Sequence, residues 1–151
     1  MKTSRRTFLE TALIAAVVPS IASASGTVEN PMQIKFSFNN QIFTATLNNT
    51  PTALDLLTLL PLNIQIEDYS TNEKIAYLPR KLTVEGSGPF GDEAPGDLCY
   101  YAPWGNLALF YAGYRYSSGL IRLGRLDGAV TPLLQRGNSR SGLNRPANTR
   151  P

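Results

Sequence analysis

Gln33-Ile34-Lys35-Phe36-Ser37-Phe38-Asn39-Asn40-Gln41-Ile42-Phe43-Thr44-Ala45-Thr46-Leu47, followed at once by Asn49-Thr50-Pro51-Thr52-Ala53-Leu54-Asp55-Leu56-Leu57, is the stretch that decides the fold. Over Gln33 to Phe38 the apolar residues Ile34, Phe36 and Phe38 alternate with Lys35 and Ser37, which is the period of a strand with one buried face. Asn39-Asn40 tolerates positive φ, and alternation resumes from Ile42 to Leu47, so the segment reads as a β-hairpin. The period then changes. Thr50 is placed to cap a helix that begins at Pro51, and Ala53, Leu56, Leu57 and Leu60 recur at helical spacing until Pro61 ends it.

Beyond the helix the elements are short. Ile64 and Ile66 alternate with Gln65 and Glu67 as another strand, and Leu82 and Val84 predict a further one. Leu98 to Tyr101 and Leu107 to Tyr111 flank the loop Ala102-Pro103-Trp104-Gly105-Asn106, and Leu120 to Leu126 forms a last strand. Many short strands with Gly and Pro turns and one early helix predict a mainly β fold, a closed antiparallel barrel or sandwich. With 151 residues, 42% of them hydrophobic and 17% charged, the chain has room for one domain with a buried core.

At the N-terminus, Lys2, Arg5 and Arg6 precede the apolar stretch Thr11 to Val18 and the small-x-small site Ala22-Ser23-Ala24, the pattern of an export signal cleaved after Ala24. Ser4-Arg5-Arg6-Thr7-Phe8-Leu9 resembles the twin-arginine export motif, which places the mature protein in the periplasm or outside the cell. The apolar run is shorter than the roughly 20 residues of a span, and Pro19 interrupts it, so no membrane span is expected after cleavage. Of the net charge of +3, residues 1–24 carry +2 and the tail 135–151 carries +4 through Arg136, Arg140, Arg145 and Arg150, which leaves −3 on residues 25–134. A mildly acidic body argues against a nucleic-acid partner. The domain plan is therefore a signal over 1–24, a linker over 25–31, the barrel over 32–134 and a disordered basic tail over 135–151.

The order of hairpin, Asn49-Thr50-Pro51-Thr52-Ala53-x-x-Leu56-Leu57 and strand resembles the start of a cyclophilin-type barrel, in which a capped helix plugs one barrel end. Gly96-Asp97-Leu98-Cys99-Tyr100-Tyr101-Ala102-Pro103-Trp104-Gly105-Asn106, the apolar Leu107-Ala108-Leu109-Phe110-Tyr111 and then Tyr116-Ser117-Ser118-Gly119-Leu120 are similar to blocks of small bacterial cyclophilin-like proteins. The resemblance implies a closed antiparallel barrel with one early capping helix over roughly Met32 to Asp127. It also implies where an isomerase would differ. Cyclophilin isomerases carry a signature strand Phe-His-Arg-x-Ile-x-x-x-Phe, and this chain has no His and no such strand. Arg80 in Tyr77-Leu78-Pro79-Arg80-Lys81 is the nearest catalytic candidate by residue type, paired with Trp104.

Composition excludes much else. Without histidine there is no Ser-His-Asp triad and no imidazole metal site, and one cysteine makes neither an internal disulfide nor a thiolate cluster. Cys99 reads as a small buried hydrophobe. Gly86-Ser87-Gly88-Pro89-Phe90-Gly91 fits G-x-G-x-x-G, but Pro89 and Pro95 preclude the helix a dinucleotide site needs. Asp92, Glu93 and Asp97 match no calcium-loop spacing, so neither a metal nor a cofactor is expected. The expected function is binding of a small ligand or peptide by Tyr77, Tyr101, Trp104, Asn106, Tyr114 and Arg115. The alternatives are a prolyl isomerase with a non-standard site and a structural docking module.

Overall fold

The structure, a computed structural model, describes residues 31–147, so Arg5, Arg6 and the Ala24 boundary lie outside the described residues. Strands β1 (Gln33–Phe38) and β2 (Gln41–Leu47) pair antiparallel from Gln33↔Thr46 to Phe38↔Gln41. Asn39 and Asn40 turn the chain at φ of 47° and 61°, the doubly left-handed conformation whose twist matches that of the strands it joins. Helix α1 (Pro51–Thr58) starts as the sequence requires, with Pro51 in its first turn and the Thr50 side chain accepting from the Ala53 amide. Its Ala53, Leu56 and Leu57 are buried in the same apolar cluster as the inward residues of the strands.

The remaining strands are β3 (Leu62–Tyr69), β4 (Glu73–Tyr77), β5 (Asp97–Tyr101), β6 (Asn106–Phe110), β7 (Leu120–Leu126) and β8 (Ser139–Asn144). They close into one antiparallel barrel in the order β1-β2-β7-β5-β6-β4-β3-β8, with β8 returning to β1. Ile34, Phe36, Ile66, Leu98, Tyr100, Leu107, Leu109 and Leu123 point inward and are fully buried. Between β2 and β7 the two backbones come so close that a Cβ on Gly124 would lie 2.0 Å from the Thr46 carbonyl oxygen.

Two expectations need correction, and one strand was not anticipated. The barrel does not end at Leu134: residues 139–144, assigned to a disordered tail, form β8, which pairs with β1 over Lys35–Phe38 and with β3 over Leu62–Ile66. Its sequence, Ser139-Arg140-Ser141-Gly142-Leu143-Asn144, offers one large apolar residue, so periodicity alone misses it, while the backbone bonds to two neighbours hold it. Leu82 and Val84 belong to an extended loop and not to a strand. Leu82 is anchored by its amide donating to the Tyr100 hydroxyl at 3.0 Å, and the Thr83 amide donates to Asp55 at 2.8 Å. The strand between β6 and β3 in the barrel is β4, for which the sequence reading held no expectation. Its Lys74 points into the barrel, fully buried, with its Nζ 2.6 Å from Asp68 and 5.4 Å from the centre of the Phe38 ring.

Candidate functional site

A strand with one wet face alternates, yet every residue of β6, Asn106-Leu107-Ala108-Leu109-Phe110, is buried. Leu107 and Leu109 fill the barrel, so Asn106, Ala108 and Phe110 face outward and something must cover them. Residues 111–119 do so together with the β5–β6 loop: Cys99, Ala108, Phe110 and Leu120 form a second apolar cluster against which Tyr101, Tyr114 and Tyr116 pack. Tyr114 stacks on Phe110 at 3.6 Å between ring centres, and its hydroxyl donates to Asp97 at 2.6 Å.

The cover is incomplete, and the gap is a groove of about 300 Å³ on the outer wall of the barrel. That volume is at the lower end of small-ligand sites. Ile75, Ala108 and Leu120 line it with Tyr69, Tyr101, Trp104, Phe110 and Tyr114, while Asn72, Glu73, Asn106, Arg115 and Ser117 supply its polar groups. Trp104 stands 47% exposed between two tyrosines, edge to face with Tyr69 at 5.5 Å and with Tyr101 at 5.6 Å. Its loop is pinned from below. The Gly105 amide donates to Tyr101, the Ala102 amide donates to Gly119, and Gly119 (φ +87°) sits so close that a Cβ there would meet the Pro103 ring at 2.7 Å. A rigid mounting of this kind fixes the indole in place without lining it with charge.

Two groups in the groove lack partners. Asn106 is buried and donates to the Leu107 carbonyl, but its Oδ1 accepts nothing from the described residues, a costly state for a buried acceptor. Glu73 is half-buried, and among the described residues it makes neither an ion pair nor a side-chain hydrogen bond. Burial lifts its carboxyl from 4.5 to about 7 because the charged form loses water and gains nothing in return. The other titratable groups nearby are settled. Burial pushes the Cys99 thiol up to about 12 and the Tyr114 phenol well above its usual range, so neither is a nucleophile or base near neutrality.

Five of the six expected binding residues, Tyr101, Trp104, Asn106, Tyr114 and Arg115, line this groove. Tyr77 is the cross-strand neighbour of Asn106 but lies outside the groove, 52% exposed. Arg80 is elsewhere. Its guanidinium grips Asp55 of α1 at 2.6 and 3.1 Å and donates to Thr58 and to the Lys81 carbonyl. This contact, with the Thr83 amide, holds the Asp55 carboxyl down at about 2. Arg80 and Trp104 thus share no cavity, and the pairing expected of them is not formed. Tyr69, Asn72, Glu73 and Ile75 also line the groove, and the sequence reading missed them because β3 runs on to Tyr69 and β4 was not recognised. The acids of the 92–97 stretch are taken up internally: Asp92 pairs with Arg122 and Arg125, fully buried Asp97 with the same two arginines, and Glu93 accepts from the Tyr116 amide. No group of three or more metal-ligating side chains occurs among the described residues, and no described helix is long and apolar enough to cross a membrane.

Comparison with known proteins agrees with this architecture. No curated protein matches the sequence. The solution structure of a hypothetical protein from Archaeoglobus fulgidus superposes with a TM-score of 0.60 at 16% identity, covering 76% of this chain and 95% of that one. Similarity at that identity concerns the fold alone. A family profile described as the cyclophilin-like family matches residues 36–141, from within β1 to within β8 and so across the whole barrel. The chain belongs to the cyclophilin-like family.

Proposed function

We propose that this is an exported binding protein whose outer-wall groove takes a small ligand or a short peptide segment. The observation that carries the reading is the groove itself: an aromatic-walled cavity of about 300 Å³ holding a buried, unpartnered acceptor, Asn106 Oδ1. Apolar walls with a few convergent polar groups are the usual make-up of a ligand site. Export rests on the twin-arginine pattern at Arg5 and Arg6 and on the small-x-small site at Ala24.

A prolyl isomerase needs a donor aimed at the twisting amide beside a pocket for the proline ring. Arg80, the candidate donor, is engaged by Asp55 and stands apart from the aromatic groove, which favours binding over catalysis.

Trp104 is the only tryptophan of the chain, so intrinsic fluorescence reports on the groove directly. Titrating the full chain with 2-phenylethanol as a neutral aromatic probe is expected to give a saturable change, which Ala108→Leu abolishes by filling the floor. A response linear in probe concentration, or one unaffected by Ala108→Leu, counts against the reading.

A further inference from the structure

Three carboxylates of this barrel are each matched to a cation. Asp97 faces Arg125 at 2.7 Å and Arg122 at 3.6 Å, Asp68 faces Lys74 at 2.6 Å, and Asp55 faces Arg80 at 2.6 Å. Glu73, which lines the apolar groove, has no such partner among the described residues. Lys74, its chain neighbour, cannot serve, because successive side chains of a strand point to opposite faces and Lys74 is turned inward to Asp68. A half-buried carboxylate kept open in this way is unfavourable for the empty protein. The same carboxylate is complementary to a ligand that brings its own positive charge.

The walls fit the same charge. Phe110 of β6, on which Tyr114 stacks, is the direct cross-strand neighbour of Glu73 on one side, and Tyr69 of β3, its neighbour on the other, meets the indole of Trp104 edge to face. Aromatic faces around a carboxylate attract an ammonium group through their quadrupoles, most strongly where water is thinned. Further along β6, Asn106 offers its free Oδ1 about four residues, or roughly 13 Å of strand, from the level of Glu73. It would accept an N–H or O–H from the far end of the same ligand.

We propose that the groove recognises an amine ligand, seating its ammonium group against the Glu73 carboxylate within the ring of Tyr69, Trp104 and Phe110. The assignment rests on the binding reading above and names the ligand class. The charged and titratable groups that face Glu73 are Tyr69 from β3 with Glu67 two residues along the same face, Tyr114 and Arg115 from the covering segment 111–119, and Cys99 from β5 with Asp97 beyond it. Arg115 is the one cation lining the groove, exposed at its rim, and in contact with water it opposes an ammonium only weakly.

The test is calorimetric titration of the full chain with three probes of one shape and different charge: 2-phenylethylammonium, 2-phenylethanol and 3-phenylpropionate. The ammonium probe is expected to bind at least tenfold more tightly than the alcohol at pH 8, and the carboxylate probe most weakly. Glu73→Gln should bring the ammonium probe to the level of the alcohol while moving the alcohol less than twofold. In the unaltered chain, affinity for the ammonium probe should fall about five- to tenfold from pH 8 to pH 6 as the carboxyl takes up its proton, and affinity for the alcohol should not. This profile needs no variant and decides the matter if Glu73→Gln folds poorly. Equal binding of all three probes, or an ammonium affinity indifferent to Glu73→Gln and to pH, overturns the amine assignment and leaves the groove as a binding site. Failure of all three probes to bind overturns both.

Discussion

Replacing Glu73 by glutamine should stabilise the protein at pH 8 and leave it nearly unchanged at pH 5. The sign follows from the direction of the perturbation. Burial raises the carboxyl of the folded chain from 4.5 to about 7, so between those values the folded protein holds a proton that the unfolded chain has released. Stability therefore falls as pH rises through this window, is unaffected by Glu73 below about 4.5, and carries the whole cost above about 7. The gap of about 2.5, at about 1.36 kcal/mol per tenfold change in acidity, sets a ceiling near 3.4 kcal/mol. Water still reaches the half-buried side chain, which brings the figure to about 1.5–2 kcal/mol. Glutamine keeps the shape and has no charge to desolvate. Urea unfolding at pH 5 and pH 8, with a slope of about 1–2 kcal/mol per M, should place the midpoint of Glu73→Gln about 1 M above that of the original chain at pH 8 and level with it at pH 5. A midpoint lowered at pH 8 would refute the reasoning, because it requires that folding favour the Glu73 carboxylate, and so would a difference that does not depend on pH, because it requires that folding leave the acidity of the carboxyl unchanged.

Other substitutions probe the barrel that carries the groove. Asp68→Ala leaves the fully buried Lys74 ammonium without its partner and should cost about 3–5 kcal/mol in chemical denaturation, whereas Lys74→Met, which removes the buried charge, should cost far less. Burial works against ionising Asp68, yet Lys74 and the Gly137 amide hold its carboxyl below the usual range, so its contribution is present above the ordinary Asp value and is lost on acidification, which a pH series of the same unfolding curves would detect. Gly124→Ala drives a methyl group into the Thr46 carbonyl and the Leu47 Cα and should part β2 from β7, with a loss above about 3 kcal/mol read as a lowered midpoint. Ending the chain at residue 138 removes β8 with buried Ser141 and Leu143 and exposes the edges of β1 and β3. Circular dichroism and size-exclusion chromatography should find that product unfolded or aggregated, since the loss exceeds a typical stability of about 5–15 kcal/mol.

The readability of the sequence varied with how each element is held. The β1–β2 hairpin and α1 announce themselves because their signals are local: alternation, an Asn-Asn turn at positive φ, a Thr cap and a Pro at the first turn. β5, β6 and β7 were legible for the same reason. β8 was not, because Ser139–Asn144 owes its place to hydrogen bonds from two flanking strands and not to its own side chains. β4 was hidden by Lys74, a residue type that marks a wet face almost everywhere except where a carboxylate such as Asp68 meets it inside the barrel. Missing β4 hid Glu73 as well, and with it the acidic side of the groove. Trp104, Tyr101, Asn106 and Tyr114, singled out from the crowding of aromatics about one Pro-Gly loop, line the same groove. A stronger signal was present: the unbroken Leu107-Ala108-Leu109-Phe110 is a strand buried on both faces, and such a strand on a barrel requires a covered outer wall. Arg80 was singled out on residue type alone, and the Asp55 that engages it, 25 positions away, left no local signal.

The central claim, that the outer-wall groove is where a ligand binds, is tested most directly by amide chemical-shift mapping of the full chain titrated with 2-phenylethylammonium. The groove account predicts saturable shifts at Glu73, Ala108, Phe110 and Tyr114 and at the Trp104 indole, with none in the concavity at Ser37–Ile42 or in the one bounded by Thr50, Gly86 and Arg122. Saturable shifts gathered at either of those other concavities, with the groove unmoved, would contradict it.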